Sequence, residues 1–149
     1  MKLFLCGGGA DCQTVEARKR LNEIKMSKAF EKIMEYLTLD SIVFGGSAGV
    51  IIFGKDLEAC RLDDVNKVEL TETQGFDVLN GISILCHYTN RNVEKHKETT
   101  EYLLTMSKHK KIIALPEETT LFINGNIIEI IGSKPYYYFE NGRIMKKEI

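Results

Sequence analysis

The sequence predicts an α/β fold with a mainly parallel sheet, flanking helices and antiparallel hairpins towards the C-terminus. Three observations predict this class. Short apolar runs alternate with helical patterns, a glycine-rich turn at 45–49 joins a strand pattern to a helical one, and Asn-Gly pairs mark hairpin turns late in the chain. The length of 149 residues suits one domain, so we expect residues 1–149 to form a single domain.

The first half of the chain alternates between strand and helix patterns. In chain order the predicted elements are strand 3–6, helix 14–34, strand 42–45 and a helix from 47 to about 54. The helical spacing slips around Met26, which indicates two helices that meet there, with Ser27 as a candidate N-cap of the second. The continuous apolar run at 42–45 is typical of a buried strand.

The second half begins with a polar, acid-rich segment at 56–74, in which we expect a short strand near 68–70. The elements predicted after it are strand 82–86, helix 94–106, strand 112–115 and the short strands 121–123, 127–131 and 136–139. Asn124-Gly125 and Asn141-Gly142 are hairpin signals, because the tight turns of hairpins favour this pair.

Composition argues against several classes of protein. The chain has 20 basic and 21 acidic residues and a formal net charge of -1, so we expect no nucleic-acid partner. No apolar run is long enough to cross a bilayer, and the apolar part of 1–7 is too short for a signal peptide. The four cysteines lack metal-binding spacing, which is typical of reduced thiols, and we expect a cytoplasmic protein without a membrane partner.

The pentapeptide Gly45-Gly46-Ser47-Ala48-Gly49 is the strongest chemical signal in the sequence. The pattern G-x-S-x-G between a strand and a helix predicts a nucleophile elbow, a sharp turn that presents a reactive serine. Glycines suit such a turn because they allow close approach of the helix to the strand. The alternative is a glycine-rich turn that binds a phosphate or has no chemical role.

A serine nucleophile needs a base, and the sequence offers three histidines. His87 directly follows a predicted strand, at the edge where open α/β sheets place their sites. His96 and His109 each lie between lysines and are expected at the surface. His87 is therefore the candidate base.

The base in turn needs a carboxylate to orient it. Glu117 and Glu118 follow the predicted strand 112–115, again at its C-terminal end. The rival carboxylates lie between the serine and the histidine, as an α/β-hydrolase order would require: Asp56, Asp63 and Asp64. The residues alone leave both orders open.

The chain resembles the dipeptidase E (α-aspartyl dipeptidase) and cyanophycinase family of serine peptidases, whose fold is similar to class I glutamine amidotransferases. The resemblance covers nearly all of residues 28–149. The matching segments are Leu3-Phe4-Leu5-Cys6-Gly7-Gly8-Gly9, the elbow at 45–49, Gly75-Phe76-Asp77-Val78-Leu79-Asn80-Gly81, Cys86-His87-Tyr88, Ala114-Leu115-Pro116-Glu117 and Lys134-Pro135-Tyr136.

This resemblance implies a catalytic triad of Ser47 as nucleophile, His87 as base and Glu117 as the orienting carboxylate. It also implies that the backbone N–H of Ala48 donates to the oxyanion. Enzymes of this kind use no metal and no cofactor, and dipeptidase E relatives cleave dipeptides with an N-terminal aspartate. We therefore expect a small peptide as substrate.

The resemblance further implies a basic residue after the histidine that binds the substrate carboxylate. Arg91 is the nearest candidate, followed by Lys95.

One departure from the family pattern concerns the segment after Lys25. Relatives carry several dozen further residues there, including strands and a G-G-N/D-T turn that supplies a second oxyanion donor. We therefore expect a shortened domain that lacks part of the N-terminal half, a weakened activity and a homo-oligomer that covers the exposed apolar surface.

Three alternatives stay open on the sequence. The chain could be a catalytically impaired binding or assembly module that keeps the triad residues. An esterase of the α/β-hydrolase type would need Asp63 or Asp64 in place of Glu117. A glutaminase is less favoured, because amidotransferases use cysteine where this chain has Ser47.

Overall fold

The structure is a computed structural model that describes residues 3–6, 16–38, 42–62, 69, 71–124 and 127–149. The chain divides into two compact units, Met1–Ile84 and Leu85–Ile149, which are described separately below. The organisation of 1–149 as a single domain stays a prediction.

The described elements alternate between strand and helix before a run of strands ends the chain. In order they are β1 (Leu3–Cys6), α1 (Glu16–Lys25), α2 (Ala29–Thr38), β2 (Ile42–Gly45), α3 (Ala48–Ile51), β3 (Ile82–Leu85), α4 (Val93–Met106), β4 (Lys111–Ala114), β5 (Thr119–Asn124), β6 (Ile127–Gly132), β7 (Tyr136–Glu140) and β8 (Arg143–Lys147). A 3₁₀ turn covers Glu58–Cys60.

In the first unit, β1 and β2 pair in parallel, with Leu3 opposite Ile42 and Cys6 opposite Gly45. The two-helix interpretation of the following segment is confirmed, because α1 ends at Lys25 and α2 begins at Ala29. Ser27 links the two helices: its Oγ accepts from the Ala29 N–H at 3.1 Å and donates to the Ile24 carbonyl at 3.0 Å. The hydroxyl thus satisfies the first N–H of the second helix, although Ser27 lies one residue before the N-cap position in which it was predicted.

The core of the first unit contains an aromatic cluster centred on Phe76. Its ring stacks on Phe30 at a centroid distance of 5.4 Å and contacts Phe53 at 5.3 Å. Such offset aromatic contacts add to the free energy gained by removing apolar surface from water. Among the described residues of this unit, the fully buried aliphatic side chains are Leu21, Ile33, Ile52, Leu57, Leu79 and Ile84.

The helix after the elbow is shorter than predicted. α3 ends at Ile51, whereas the sequence pattern carried the helix to about Gly54. The carbonyls of Ile52, Phe53 and Gly54 accept hydrogen bonds from the segment 76–78, at 2.8, 3.0 and 3.0 Å. Directly after Ile51, the Phe53 and Gly54 N–H groups donate to the carbonyls three residues back, those of Val50 and Ile51, at 3.0 Å each, so the i→i−4 pattern of an α-helix has ended.

The second unit is built on antiparallel strands and one helix. β4, β7 and β8 are neighbours in that order, and the unit begins at Leu85, the last residue of β3. β4 pairs antiparallel with β7, and β7 with β8. α4 is capped by Asn92, whose side chain accepts from the Lys95 N–H at 2.8 Å.

Tyr88 is the central aromatic residue of the second unit and is almost fully buried. Its ring lies 4.9 Å from Tyr137 and 5.7 Å from Phe139, both in edge-to-face geometry. Its hydroxyl is hydrogen-bonded to Thr100 Oγ1 at 2.7 Å, so the polar end of the ring is satisfied inside the core.

Two hairpins complete the chain, as predicted. β5 pairs antiparallel with β6, and β7–β8 turns at Asn141 and Gly142, whose φ values of 54° and 70° suit a type I′ turn. β8 itself had not been predicted. The expected strand near 68–70 and the Asn124-Gly125 turn fall wholly or partly outside the described residues.

The predicted α/β class with C-terminal antiparallel hairpins is confirmed. None of the helices in the described part of the chain has the length and apolar character needed to span a bilayer.

Candidate active site

The elbow serine has an unusual backbone conformation. Ser47 lies at φ 53° and ψ −123°, directly before α3. A positive φ is uncommon for a residue with a side chain and costs about 1–3 kcal/mol, and such residues concentrate at functional sites. The Ser47 carbonyl accepts from the N–H groups of Val50 and Ile51 at 3.0 and 3.2 Å, so the turn leads directly into the helix.

Gly45 shows why the elbow needs a glycine on its strand side. A Cβ added there would lie 2.6 Å from the Gly49 carbonyl oxygen and 3.1 Å from the Val50 nitrogen. Both are backbone atoms that cannot move aside. At Gly46, by contrast, an added Cβ would meet no heavy atom of the described residues within 4 Å. The close approach predicted from the motif therefore occurs at Gly45.

Ala48 is the predicted oxyanion donor, and it is buried as the first residue of α3. Within the part of the chain that the structure describes, its N–H has no hydrogen-bond partner, as is usual for the first N–H groups of a helix. Its role as oxyanion donor stays a prediction.

His87 and Glu117 form the predicted base and carboxylate pair. Nδ1 of His87 lies 2.9 Å from Oε1 of Glu117, and the two residues are 30 positions apart in the chain. A carboxylate only accepts hydrogen bonds, so it favours the tautomer with the proton on Nδ1. Nε2 then keeps a lone pair that can accept a proton.

Backbone hydrogen bonds hold the two loops that carry this pair. The Leu115 N–H donates to the Leu85 carbonyl at 2.8 Å, and the Tyr88 N–H donates back to the Leu115 carbonyl at 3.0 Å. The Glu117 N–H donates to Oδ1 of Asn90 at 3.1 Å. Asn90 was missed by the sequence analysis, because nothing in a linear pattern links positions 27 residues apart.

Arg91 contacts the backbone of the histidine loop. Its guanidinium donates to the carbonyl oxygen of His87 and lies 3.4 Å from the carbonyl oxygen of Cys86. Its expected contact with a substrate carboxylate stays a prediction. Lys95, the second candidate, forms an ion pair with Glu98 at 3.5 Å.

The rival carboxylates have other contacts or lie outside the described residues. Asp56 is 8% exposed, and its Oδ1 accepts from Ser83 Oγ at 3.1 Å and from the Glu58 N–H at 3.0 Å. Glu118 accepts from Ser133 Oγ at 3.2 Å. The remaining two, Asp63 and Asp64, are not among the described residues.

The other two histidines have different surroundings. His96 is half-buried, with Nδ1 3.0 Å from the Tyr88 carbonyl and its ring 4.6 Å from the Tyr88 ring. It therefore packs within the second unit, although the sequence predicted a surface position. His109 is exposed, as predicted.

The predicted site residues divide between the two units. Ser47 and Ala48 belong to the first unit, whereas His87, Arg91 and Glu117 belong to the second. Within the second unit the structure brings His87 and Glu117 together, and Arg91 contacts the same loop. Among the described residues, no group of three or more histidine, cysteine or acidic side chains could hold a metal ion.

An α/β fold with a serine on a sharp strand-to-helix turn and a histidine–carboxylate pair has the component parts of a serine hydrolase. The sequence model of peptidase family S51 matches residues 15–131. The chain therefore belongs to peptidase family S51, and the predicted membership of the dipeptidase E and cyanophycinase group is confirmed.

Two solved structures share the fold. A protein of Listeria monocytogenes EGD-e that carries the provisional name peptidase E superposes with a TM-score of 0.69 at 22% identity, over 88% of this chain and 59% of that one. A peptidase from an acI-B1 Actinobacterium gives 0.68 at 15% identity, over 97% and 55%. This chain thus spans less than two thirds of the length of either structure. No curated protein sequence is significantly similar to it.

Proposed function

We propose that the chain is a serine peptidase that hydrolyses short peptides through an acyl-enzyme, with Ser47, His87 and Glu117 as its triad. The 2.9 Å contact between His87 Nδ1 and Glu117 Oε1 carries the proposal, because it gives the base its orientation and tautomer. Membership of family S51 and the strained backbone of Ser47 support it independently.

In the proposed first step, Nε2 of His87 takes the proton of Ser47 Oγ while Oγ bonds to the scissile carbonyl carbon. The carbonyl oxygen becomes an oxyanion that the Ala48 N–H stabilises. The carbon–nitrogen bond then breaks, and the leaving amine takes the proton from Nε2. An ester between the substrate acyl group and Ser47 remains.

In the second step, water attacks the ester carbonyl and gives a proton to Nε2 of His87. The bond to Ser47 Oγ breaks, and Oγ recovers the proton from the imidazolium. The acid product leaves. Glu117 stabilises the imidazolium in both steps and keeps its own charge. The scheme returns every group to its starting state and needs no metal and no cofactor.

We propose dipeptides with an N-terminal aspartate as the substrate class. Two observations support it: the resemblance of the chain to dipeptidase E, and the provisional name peptidase E of the Listeria structure. A panel of Asp-Xaa, Asn-Xaa and Ala-Xaa dipeptides tests this choice. Equal hydrolysis of all three would contradict the aspartate preference and leave the peptidase proposal intact.

The triad is tested by labelling with a fluorophosphonate, which reacts quickly only with an activated serine. We expect wild-type protein to acquire one label on the peptide that contains Ser47. Ser47→Ala should take up none, His87→Gln should react much more slowly, and His109→Gln should react like wild type because His109 is exposed in a turn. Labelling of another residue, or unchanged labelling of Ser47→Ala, would contradict the triad.

A catalytically impaired binding or assembly module is the second candidate. The sequence after Lys25 favours it, because the G-G-N/D-T turn that supplies a second oxyanion donor in the family is absent there. Absence of both labelling and hydrolysis in folded wild-type protein would support it. Self-association stays a prediction, which light scattering at micromolar concentration tests.

A further inference from the structure

We propose that Arg91 is a positioning residue, whose guanidinium fixes the backbone of His87 and thereby the direction of the imidazole. Its catalytic consequence rests on the proposed function. Nη1 donates to the His87 carbonyl oxygen, while Nη1 and Nη2 each lie 3.4 Å from the carbonyl oxygen of Cys86. One planar cation thus spans two successive carbonyl groups.

These two carbonyls belong to the peptide groups on either side of the His87 Cα. Each peptide group is planar, so the orientation of the two planes about that Cα is set by φ and ψ of His87. The Arg91 guanidinium is rigid and contacts both carbonyl oxygens, so it restricts φ and ψ of His87 at the same time. The side chain of His87 leaves the same Cα, so its starting direction is limited as well.

His87 needs such a constraint because its φ is 57°. This left-handed conformation costs about 1–3 kcal/mol for a residue with a side chain, and it persists only where the surroundings enforce it. The peptide after His87 is held at both edges: its oxygen also accepts from the Asn90 N–H at 3.2 Å, and its N–H donates to Leu115. Arg91 restrains the other peptide group, which joins Cys86 to His87, through the Cys86 carbonyl oxygen.

Arginine is suited to this task and lysine is not. The guanidinium is flat and presents several N–H donors in a fixed fork, whereas an ammonium is a compact charge on a flexible stem. Arg91→Lys therefore keeps the positive charge and loses the two-carbonyl geometry. This separates positioning from the alternative in which the charge of Arg91 binds a substrate carboxylate.

The experiment compares Arg91→Lys with Arg143→Lys, the same change at an exposed arginine that begins β8. Hydrolysis of Asp-Xaa and Ala-Xaa dipeptides gives kcat and KM for a charged and an uncharged substrate. Fluorophosphonate labelling gives the reactivity of Ser47 without any peptide. Proton NMR follows the Nδ1–H resonance of His87, assigned by its absence in His87→Gln.

For Arg91→Lys we expect kcat to fall by about 10–100-fold, equally for both dipeptides, with KM nearly unchanged, since misplacement of a catalytic group by about 1 Å can cost 10²-fold. The labelling rate should fall by the same factor, and the Nδ1–H resonance should shift or broaden. Arg143→Lys should match wild type in every readout.

Two outcomes would overturn the proposal. A rise in KM for the aspartyl dipeptide alone, with kcat and labelling unchanged, would make Arg91 a substrate-binding residue. Wild-type behaviour of Arg91→Lys in all readouts would deny it any role. If wild-type protein neither labels nor hydrolyses, the proposed function fails, and the resonance still decides the positioning. If Arg91→Lys does not fold, Arg91→Gln is measured in the same way.

Discussion

The elbow loop and the histidine loop both hold a residue at positive φ, and they do so by different means. Ser47 is held within its own turn, by the close fit of helix to strand that Gly45 allows and by its carbonyl, which accepts from Val50 and Ile51. The backbone at His87 is held by hydrogen bonds: the Tyr88 N–H donates to the distant Leu115 carbonyl, and Arg91 donates to the His87 carbonyl. The constraint on Ser47 comes from five adjacent residues, whereas the constraint on His87 comes from residues that are spread over thirty positions.

The largest expected effect concerns the histidine loop and the carboxylate that His87 contacts. Glu117→Gln keeps the size of the side chain and removes the charge that stabilises the imidazolium, so kcat/KM for dipeptides should fall by about 10²–10⁴-fold. Glu118→Gln is the matched control, since that carboxylate contacts Ser133. Equal losses in the two variants would remove Glu117 from the triad.

The next largest effect concerns the elbow loop, which carries Ser47. Gly45→Ala brings a Cβ to 2.6 Å from the Gly49 oxygen, so it should cost about 1–3 kcal/mol in the free energy of unfolding and suppress labelling of Ser47. Gly46→Ala should stay within about 0.5 kcal/mol of wild type. Urea unfolding measures both. A tolerated Gly45→Ala would show that the turn can relax, and the contrast between the loops would disappear.

A smaller effect tests the strain at Ser47 directly. Ser47→Gly and Ser47→Ala both remove the hydroxyl, and glycine adopts positive φ without steric cost. Ser47→Gly should therefore be more stable than Ser47→Ala by about 1 kcal/mol, measured by thermal unfolding. A less stable glycine variant would contradict strain at the elbow.

The smallest expected effect concerns the core beneath the histidine loop. Burial raises the pKa of the Tyr88 phenol above its ordinary value of 10.0. The folded state therefore favours the neutral ring, and this contribution is complete below pH 10 and is lost as the pH rises above the raised pKa.

Tyr88→Phe removes this pH dependence together with the hydrogen bond to Thr100, at a cost of about 1 kcal/mol near neutral pH. Unfolding followed from pH 8 to 11 should show a shallower alkaline decline for the variant than for wild type. Identical slopes would assign the decline to other groups.

The same contrast explains what the sequence could predict. Local patterns predicted the two helices that meet at Ser27, the elbow, and the hairpin at Asn141, because glycine, caps and turn pairs act over a few residues. The end of α3 at Ile51 was predicted wrongly, because the chain there changes to i→i−3 hydrogen bonds and then bonds to the distant segment 76–78, which no local pattern shows.

The candidate site was predictable to a similar degree. The pairing of His87 with Glu117 was proposed from a resemblance and from strand ends, and the contact in the second unit agrees with it. The contact of Asn90 with the Glu117 N–H could not be predicted, because it depends on which loops meet in space. Side chains that act on distant backbone leave no periodic trace in a sequence.

The chain that leaves α3 returns alongside itself before β3. The Leu57 N–H donates to the Thr73 carbonyl at 3.0 Å, the Gly75 N–H donates to the Lys55 carbonyl at 2.8 Å, and Asp56 and Gln74 form an antiparallel bridge between them. The two ends of the intervening stretch are therefore tied together independently of its length. A protein engineer could splice a reporter peptide or a protease cleavage sequence directly after the exposed Arg61, because loop closure entropy grows only slowly with added residues.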